Sequence, residues 1–380
     1  LKRFGNRPYR EKQQEHKVQE HVLAIYLPGL LRGIHMSCHL SSCVVLCVSE
    51  EMLEFEKHGS MKGSAMNQQH LAGEIIRLRE EKNILILAHY YTLPGVQEVA
   101  HFVGDSLELC RRAFLWKGDT ILFAGVDFMG ESAKLLCPEK RVLIPEEDAS
   151  CPMAHMASIY KIRKMREEIS DLAVVCYINS TASIKAESDV CVTSSNAVEV
   201  VSKMPQQNIY FIPDVNLGRY VASHVPQKQF YFGDGSCPVH QDITLDQVDS
   251  ARDITPDALV LAHPECSPSV LKSADYIGST SGILGRVGQG EEKEYIILTE
   301  VGLLHSLKAL GRDAKYHFTE PLPVCVDMKK ITLEKILSCL EQEGPEVNIP
   351  KRIQDKATDS IIRMMELSRS RNEDNAKGDS

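Results

Sequence analysis

The sequence predicts an α/β protein made of three similar αβα units. Each holds a short parallel sheet, and the three are arranged with pseudo-three-fold symmetry about a common centre. Two observations lead to this expectation. Short, fully apolar, β-rich runs alternate with longer helical patterns, as parallel strands covered on both faces require. The whole pattern also recurs every 86–88 residues, which marks repeated supersecondary units.

The strands come in order. Each unit opens with an apolar run: Ile84 to Leu87, Ala173 to Val175, and Ala258 to Leu261. Each run ends in a polar cluster: His89-Tyr90-Tyr91, Tyr177-Ile178-Asn179-Ser180, and His263-Pro264-Glu265-Cys266. A hydroxyl-rich turn follows: Gly104-Asp105-Ser106, Thr193-Ser194-Ser195, and Ser279-Thr280-Ser281. A second strand then leads into a helix (Thr120 to Phe123, Ile209 to Phe211, Tyr295 to Leu298). Each unit closes with a third short strand and a cysteine: Cys151, Cys237 and Cys325, spaced by 86 and 88 residues.

Residues 66–165, 166–250 and 251–340 are the expected units, followed by a helical segment over 341–367 and a polar, disordered tail over 368–380. A helix is predicted from Gln68 to Glu81, with Leu71, Ile75, Ile76 and Leu78 on one side. Residues 1–65 stand apart in composition and read as a disordered or non-native extension. A targeting segment, a fusion remnant or translated upstream sequence would fit them, with Met61 and Met66 as candidate starts.

Bulk properties exclude several functions. Net charge is −9 without a Lys/Arg-rich run, so nucleic acid is not the expected partner. The chain lacks an apolar run long enough to span a membrane; Val22 to Val48 is broken by Arg32, His35 and His39. Twelve cysteines in 380 residues are too few for a secreted disulfide scaffold and point to a reducing, cytoplasmic setting.

Three equivalent cysteines at the ends of three repeats can converge on one metal centre. Three thiolates favour zinc or an iron–sulfur cluster. The chain has no CxxC pair of the kind structural zinc sites use. A [4Fe–4S] cluster on three cysteines would leave one iron to act as a Lewis acid. Spacing alone does not choose between the metals.

From about Leu71 to Leu367 the sequence resembles the quinolinate synthase (NadA) family. The resemblance rests on AHYYTLPGVQEVAHFVGDSLEL, LFAGVDFMGESAKLL, VVCYINSTASIKAESDVCVTSSNAV, IPDVNLGRYV, GSCPVH, LAHPEC, YIGSTSGIL and TLEKI. It implies three αβα domains about a central [4Fe–4S] cluster, one per chain, on Cys151, Cys237 and Cys325. It also implies condensation of iminoaspartate with dihydroxyacetone phosphate to quinolinate, in de novo NAD biosynthesis. That role carries a functional link to an L-aspartate oxidase or dehydrogenase. Motif matching implies His89, Tyr91 and Glu265 as catalytic. His89, Ser106, Tyr177, Asn179, Ser194, His240, His263, Glu265, Ser279 and Thr280 are implied as substrate-binding. The stretch PLPVCVDMKK departs from the family's CPNMK pattern, with Val326 and Asp327 in place of Pro and Asn.

Some neighbours read as structural. Cys110, Cys137, Cys176, Cys191, Cys266 and Cys339 are expected in the core. Tyr90 is expected to pack, Ser195 and Ser281 to satisfy turns, and Glu131 to sit at a helix start. Competing readings are a zinc-dependent lyase or hydrolase on the same scaffold, and a non-catalytic dicarboxylate-binding protein.

Overall fold

A computed structural model describes residues 61–368, with the side chains of 61–66 outside the description. The expectations for residues 1–60 and 369–380 therefore lie outside the described residues. Each unit contributes one four-stranded, all-parallel sheet. The first contains β1 (Ile84–His89), β2 (Phe102–Gly104), β3 (Thr120–Ala124) and β4 (Arg141–Leu143) in the order β2-β1-β3-β4. The second contains β5 (Leu172–Tyr177), β6 (Val190–Val192), β7 (Asn208–Ile212) and β8 (Gln229–Phe232), ordered β6-β5-β7-β8. The third contains β9 (Leu259–Ala262), β10 (Tyr276–Ile277), β11 (Glu294–Leu298) and β12 (Lys315–His317), ordered β10-β9-β11-β12. All three sheets thus share one strand order.

Where three strands per unit were expected, there are four. The additional ones are β2, β6 and β10, each only two or three residues long. They pair beside the central strand just before the hydroxyl-rich turns. Edge strands this short need no apolar run of their own, because pairing with a buried neighbour suffices.

The apolar runs form strands because both faces are covered. All six residues of β1 are buried. In β11, Ile296 and Leu298 join one cluster while Tyr295 and Ile297 join another on the opposite face, as the two-residue period of a strand dictates. Helix starts are capped by residues that also define the turns. Asp105 accepts from the amides of Leu107 and Glu108 at 3.1 and 3.0 Å. Asp214 accepts from Leu217 at 2.7 Å, and Ser279 from Gly282 at 3.2 Å.

The helix predicted over 68–81 runs from Met61 to Glu81; Met, Lys and Ala favour its extra turns, and an isolated glycine is tolerated. After the third unit the chain returns to the first. Helix Leu333–Gln342 packs on helix Met61–Glu81, and Val347 N–H donates to Val142 O at 2.8 Å. Helix Lys351–Leu367 then packs against helices Asp127–Leu136 and Ala182–Lys185 and strand β6. One core cluster consequently runs through units one and two, while the third unit's sheet carries a separate cluster on each face.

Among the described residues all nine cysteines are free, and no helix is long and apolar enough to cross a membrane. Cys110, Cys137, Cys176, Cys191, Cys266 and Cys339 are buried, as expected. Glu131 differs from expectation. It lies inside helix Asp127–Leu136, and its carboxylate accepts from Ala182 N–H at 2.7 Å. It therefore caps a helix of the neighbouring unit rather than its own.

Candidate active site

The polar strand ends of all three units face one cavity of about 690 Å³, counting its open mouth. Thirteen of the fourteen sequence-predicted site residues line it: His89, Tyr91, Ser106, Cys151, Tyr177, Asn179, Ser194, Cys237, His240, His263, Glu265, Thr280 and Cys325. This is the expected location for chemistry at the carboxyl ends of parallel strands. Ser279 is the exception. It does not line the cavity, and its hydroxyl is committed as the N-cap of helix Thr280–Gln289. A capping serine and a cavity-facing hydroxyl look alike in sequence; here the second role falls to the next residue, Thr280.

The three cysteines have one local geometry. Each precedes a short helical turn, with φ/ψ of −78/116, −70/119 and −86/102° at Cys151, Cys237 and Cys325. Pro152 and Pro238 occupy the first helical position, where the fixed φ of proline is pre-organised. Val326 takes the same place after Cys325 and the turn still forms, with Lys329 N–H donating to Cys325 O at 3.3 Å. The departure from the family pattern leaves the cysteine's conformation intact, since proline pre-organises this position without being required there.

A carboxylate stands behind each cysteine loop. Asp127, Asp214 and Glu300 occur 87 and 86 residues apart, each just after its unit's inner strand. Asp214 accepts from Cys237 N–H at 3.0 Å, and Glu300 from Cys325 N–H at 3.0 Å. Asp127 instead takes the hydroxyl of Ser150, the residue before Cys151, at 2.6 Å. Sequence reasoning missed this set, although the repeat that aligned the cysteines also aligns the carboxylates.

Burial pushes the thiols up: Cys151 to about 12, Cys325 to about 11, and Cys237 well above its ordinary value. Neighbouring negative charge adds to this, Glu265 and then Cys151 acting on Cys237, and Cys325 and Glu265 on Cys151. Three clustered thiols that resist ionisation alone suit a multiply charged cation centre, which would replace their protons. Nearby, the buried Asn179 Oδ1 has no hydrogen-bond partner. An orphaned buried acceptor in a cavity wall is a place for a ligand atom.

Two histidines stand at equivalent strand ends. His89 Nδ1 accepts from Tyr91 N–H at 3.1 Å, and His263 Nδ1 from Glu265 N–H at 3.4 Å. Each neutral ring therefore carries its proton on Nε2. Burial pushes their pKa values down, to about 4 for His89 and about 3 for His263, so both are neutral donors near pH 7.

The remaining polar groups form one chain. Tyr177 donates its hydroxyl to Glu265 Oε1. His240 Nδ1 lies 3.0 Å from Glu265 Oε2 and 3.2 Å from Cys237 Sγ. His240 Nε2 lies 2.8 Å from Thr299 Oγ1, which lies 2.7 Å from Tyr91 Oη. Tyr91 Oη is in turn 3.2 Å from Thr280 Oγ1. Burial alone would raise the pKa of Glu265, but the hydrogen bonds donated by His240 and the Tyr177 hydroxyl favour its carboxylate, and a proton on His263 would favour it further. An ionised carboxylate only accepts. The chain therefore points one way, from Tyr91 through Thr299 to His240 and Glu265. Burial holds Tyr91 and Tyr177 protonated, with Glu265 adding to the effect. Thr299 carried no motif in the sequence, because its two partners lie 59 and 208 residues away.

Fold and cavity together define a three-unit α/β protein whose central site presents clustered thiols, neutral histidines and one ionised carboxylate to a small polar ligand. Residues 73–366 match the family described as Quinolinate synthetase A protein, and the chain belongs to that family. It is 47% identical over 306 residues to "Quinolinate synthase 2" of Methanosarcina acetivorans, covering 80% of this chain and 98% of that protein. It is 48% identical over 294 residues to "Quinolinate synthase" of Fusobacterium nucleatum (77% and 98% covered). With "Quinolinate synthase" of Aquifex aeolicus it shares 44% over 305 residues (79% and 95% covered).

Proposed function

We propose that the chain is an iron–sulfur-dependent quinolinate synthase. It condenses iminoaspartate with dihydroxyacetone phosphate and releases quinolinate, phosphate and two waters. The observation carrying this reading is that cysteines from all three units line one cavity beside the Glu265 chain. Cys151, Cys237 and Cys325 would hold a [4Fe–4S] cluster, whose iron without a protein ligand supplies a Lewis acid for a substrate hydroxyl or carboxylate.

The chain's own residues do the rest. His89 and His263 offer neutral N–H donors to carboxylate or carbonyl oxygens. Ser106 and Thr280 stand at the first positions of ten-residue helices, where exposed amides and the helix dipole favour phosphate or carboxylate. Ser194 adds a hydroxyl from the second unit. Asn179 Oδ1, otherwise unpartnered, takes the substrate's N–H. Glu265 is the proton acceptor. When a substrate displaces the Tyr177 hydroxyl from it, the carboxylate loses a stabilising donor and becomes more basic. Tyr91 is the acid at the other end of the chain: it gives its proton to substrate, and the proton taken up by Glu265 would restore it through His240 and Thr299 once each donor in the chain has reversed.

A second reading has one observation in its favour: ligand atoms of Cys237, His240 and Glu265 lie within 4.8 Å of one another, as a single zinc would need. His240 is already within hydrogen-bond reach of both Cys237 and Glu265, however, and the zinc reading leaves Cys151 and Cys325 without a role. Anaerobically purified protein given both substrates should form quinolinate and phosphate one for one, and neither when a substrate is omitted. Binding of dicarboxylate without turnover by protein carrying an intact cluster would defeat the proposal; zinc without sulfide would select the alternative.

A further inference from the structure

The third cysteine loop differs from the other two in what lies behind its carboxylate. Glu300 is fully buried. Its Oε1 accepts from Cys325 N–H at 3.0 Å and pairs with Lys329 Nζ at 2.8 Å, while Oε2 accepts from Gly302 N–H at 2.7 Å. Lys329 Nζ also donates to the backbone carbonyl of Tyr91 at 2.6 Å. One carboxylate and one ammonium thus join a candidate cluster ligand of the third unit to the tyrosine of the first. Asp214, the equivalent residue of unit two, likewise turns its second oxygen to the start of the following helix, so what sets the third loop apart is the Lys329 bridge to Tyr91.

Gly302 makes the junction possible. A Cβ there would fall 2.7 Å from Glu300 Oε2, 2.9 Å from Lys329 Nζ and 2.9 Å from Tyr91 Cα. Gln97 fastens the same junction from the other side, donating to Tyr90 O, Thr92 O and Gly302 O at 2.8, 3.0 and 3.1 Å. A buried ion pair rarely stabilises a fold more than apolar side chains of the same size. Its value lies in fixing which groups meet, and here those groups are Cys325 and Tyr91.

We infer that Glu300 and Lys329 are positioning residues that set the Cys325 loop and the Tyr91 segment as one piece. The inference rests on the reading in which Cys325 holds the cluster and Tyr91 takes part in the chemistry. Its test does not depend on turnover alone. Lys329→Met by itself leaves a buried unpaired carboxylate and can fail to fold, so the variant of choice is Lys329→Met with Glu300→Gln, which removes both charges.

In the cluster-loaded double variant, amide hydrogen exchange should quicken at least tenfold in both the 89–93 and the 323–327 segments. Turnover should fall at least tenfold with iron and sulfide content unchanged. In a Tyr91→Phe background the same double substitution should change turnover less than twofold, because its effect passes through that tyrosine. Faster exchange in only one segment, cluster loss without any change at 89–93, or equal losses in both backgrounds would each overturn the inference. Failure of the broader reading looks different: the unmodified protein would then carry its cluster and make no quinolinate, while the exchange comparison would still decide the coupling.

Discussion

Thr299→Val removes one hydroxyl from the middle of the donor chain and little else. Thr299 is fully buried, and valine keeps its shape, so no cavity opens. His240 Nε2 loses its partner at 2.8 Å, and Tyr91 Oη loses the nearer of two, keeping Thr280 at 3.2 Å. Orphaning a buried nitrogen costs about 1–3 kcal/mol, and the lost tyrosine bond about 0.5–1.5 kcal/mol. A total of about 1.5–4.5 kcal/mol, felt fully in the transition state, lowers turnover by roughly ten- to two-thousand-fold. The assay is anaerobic quinolinate formation at saturating substrates, with iron content measured on the same sample. Thr299→Ser, which keeps the hydroxyl, should stay within a few-fold of the unmodified protein. Unchanged turnover in the valine variant would refute the chain as a functional unit.

Three further predictions concern the scaffold. Asp214→Ala releases the Cys237 amide and should lower iron per chain several-fold, read by metal analysis, while Asp214→Asn keeps an acceptor and should retain most of it. Ser279→Ala removes a helix cap worth about 1 kcal/mol and should lower the unfolding midpoint with turnover nearly unchanged; a large kinetic loss would restore Ser279 to the site. The apo-protein should lose stability on acidification. His89 and His263 bind protons in the unfolded chain near pH 6.5 but resist them in the fold down to about 4 and about 3. The contribution of these histidines is therefore full above pH 6.5 and declines as pH falls toward 4, by at most about 3 kcal/mol from His89, while Asp214, whose pKa burial raises to about 8, acts in the opposite sense and offsets part of the loss. Denaturant midpoints across that range should show the slope, and His89→Gln should flatten it.

The strands and the cysteines were legible because the repeat aligns them, and apolar runs declare themselves locally. The short edge strands were not, since β2, β6 and β10 borrow their order from a buried neighbour. A place in the cavity wall was legible from motifs for every proposed site residue but Ser279, whose hydroxyl is indistinguishable in sequence from that of Thr280 beside it. Thr299 and Lys329 were invisible as participants. Thr299 meets His240 and Tyr91 of the other two units, and Lys329 reaches the Tyr91 carbonyl of the first; nothing in a single strand or helix signals where its end will meet another. The carboxylates Asp127, Asp214 and Glu300 fall between these cases, being aligned by the repeat yet meaningful only once the cysteine loops are seen to lean on them.

The central claim is that Cys151, Cys237 and Cys325 hold one cluster that the chemistry requires. Iron and acid-labile sulfide measured on anaerobically purified protein test it most directly, alongside Cys325→Ala, in which the family's usual loop sequence is already altered. The account predicts about four iron and four sulfide per chain in the unmodified protein. Cys325→Ala should lose cluster and quinolinate formation together, while Cys266→Ala keeps both. Zinc in place of iron and sulfide, or a Cys325→Ala protein that still makes quinolinate, would contradict it.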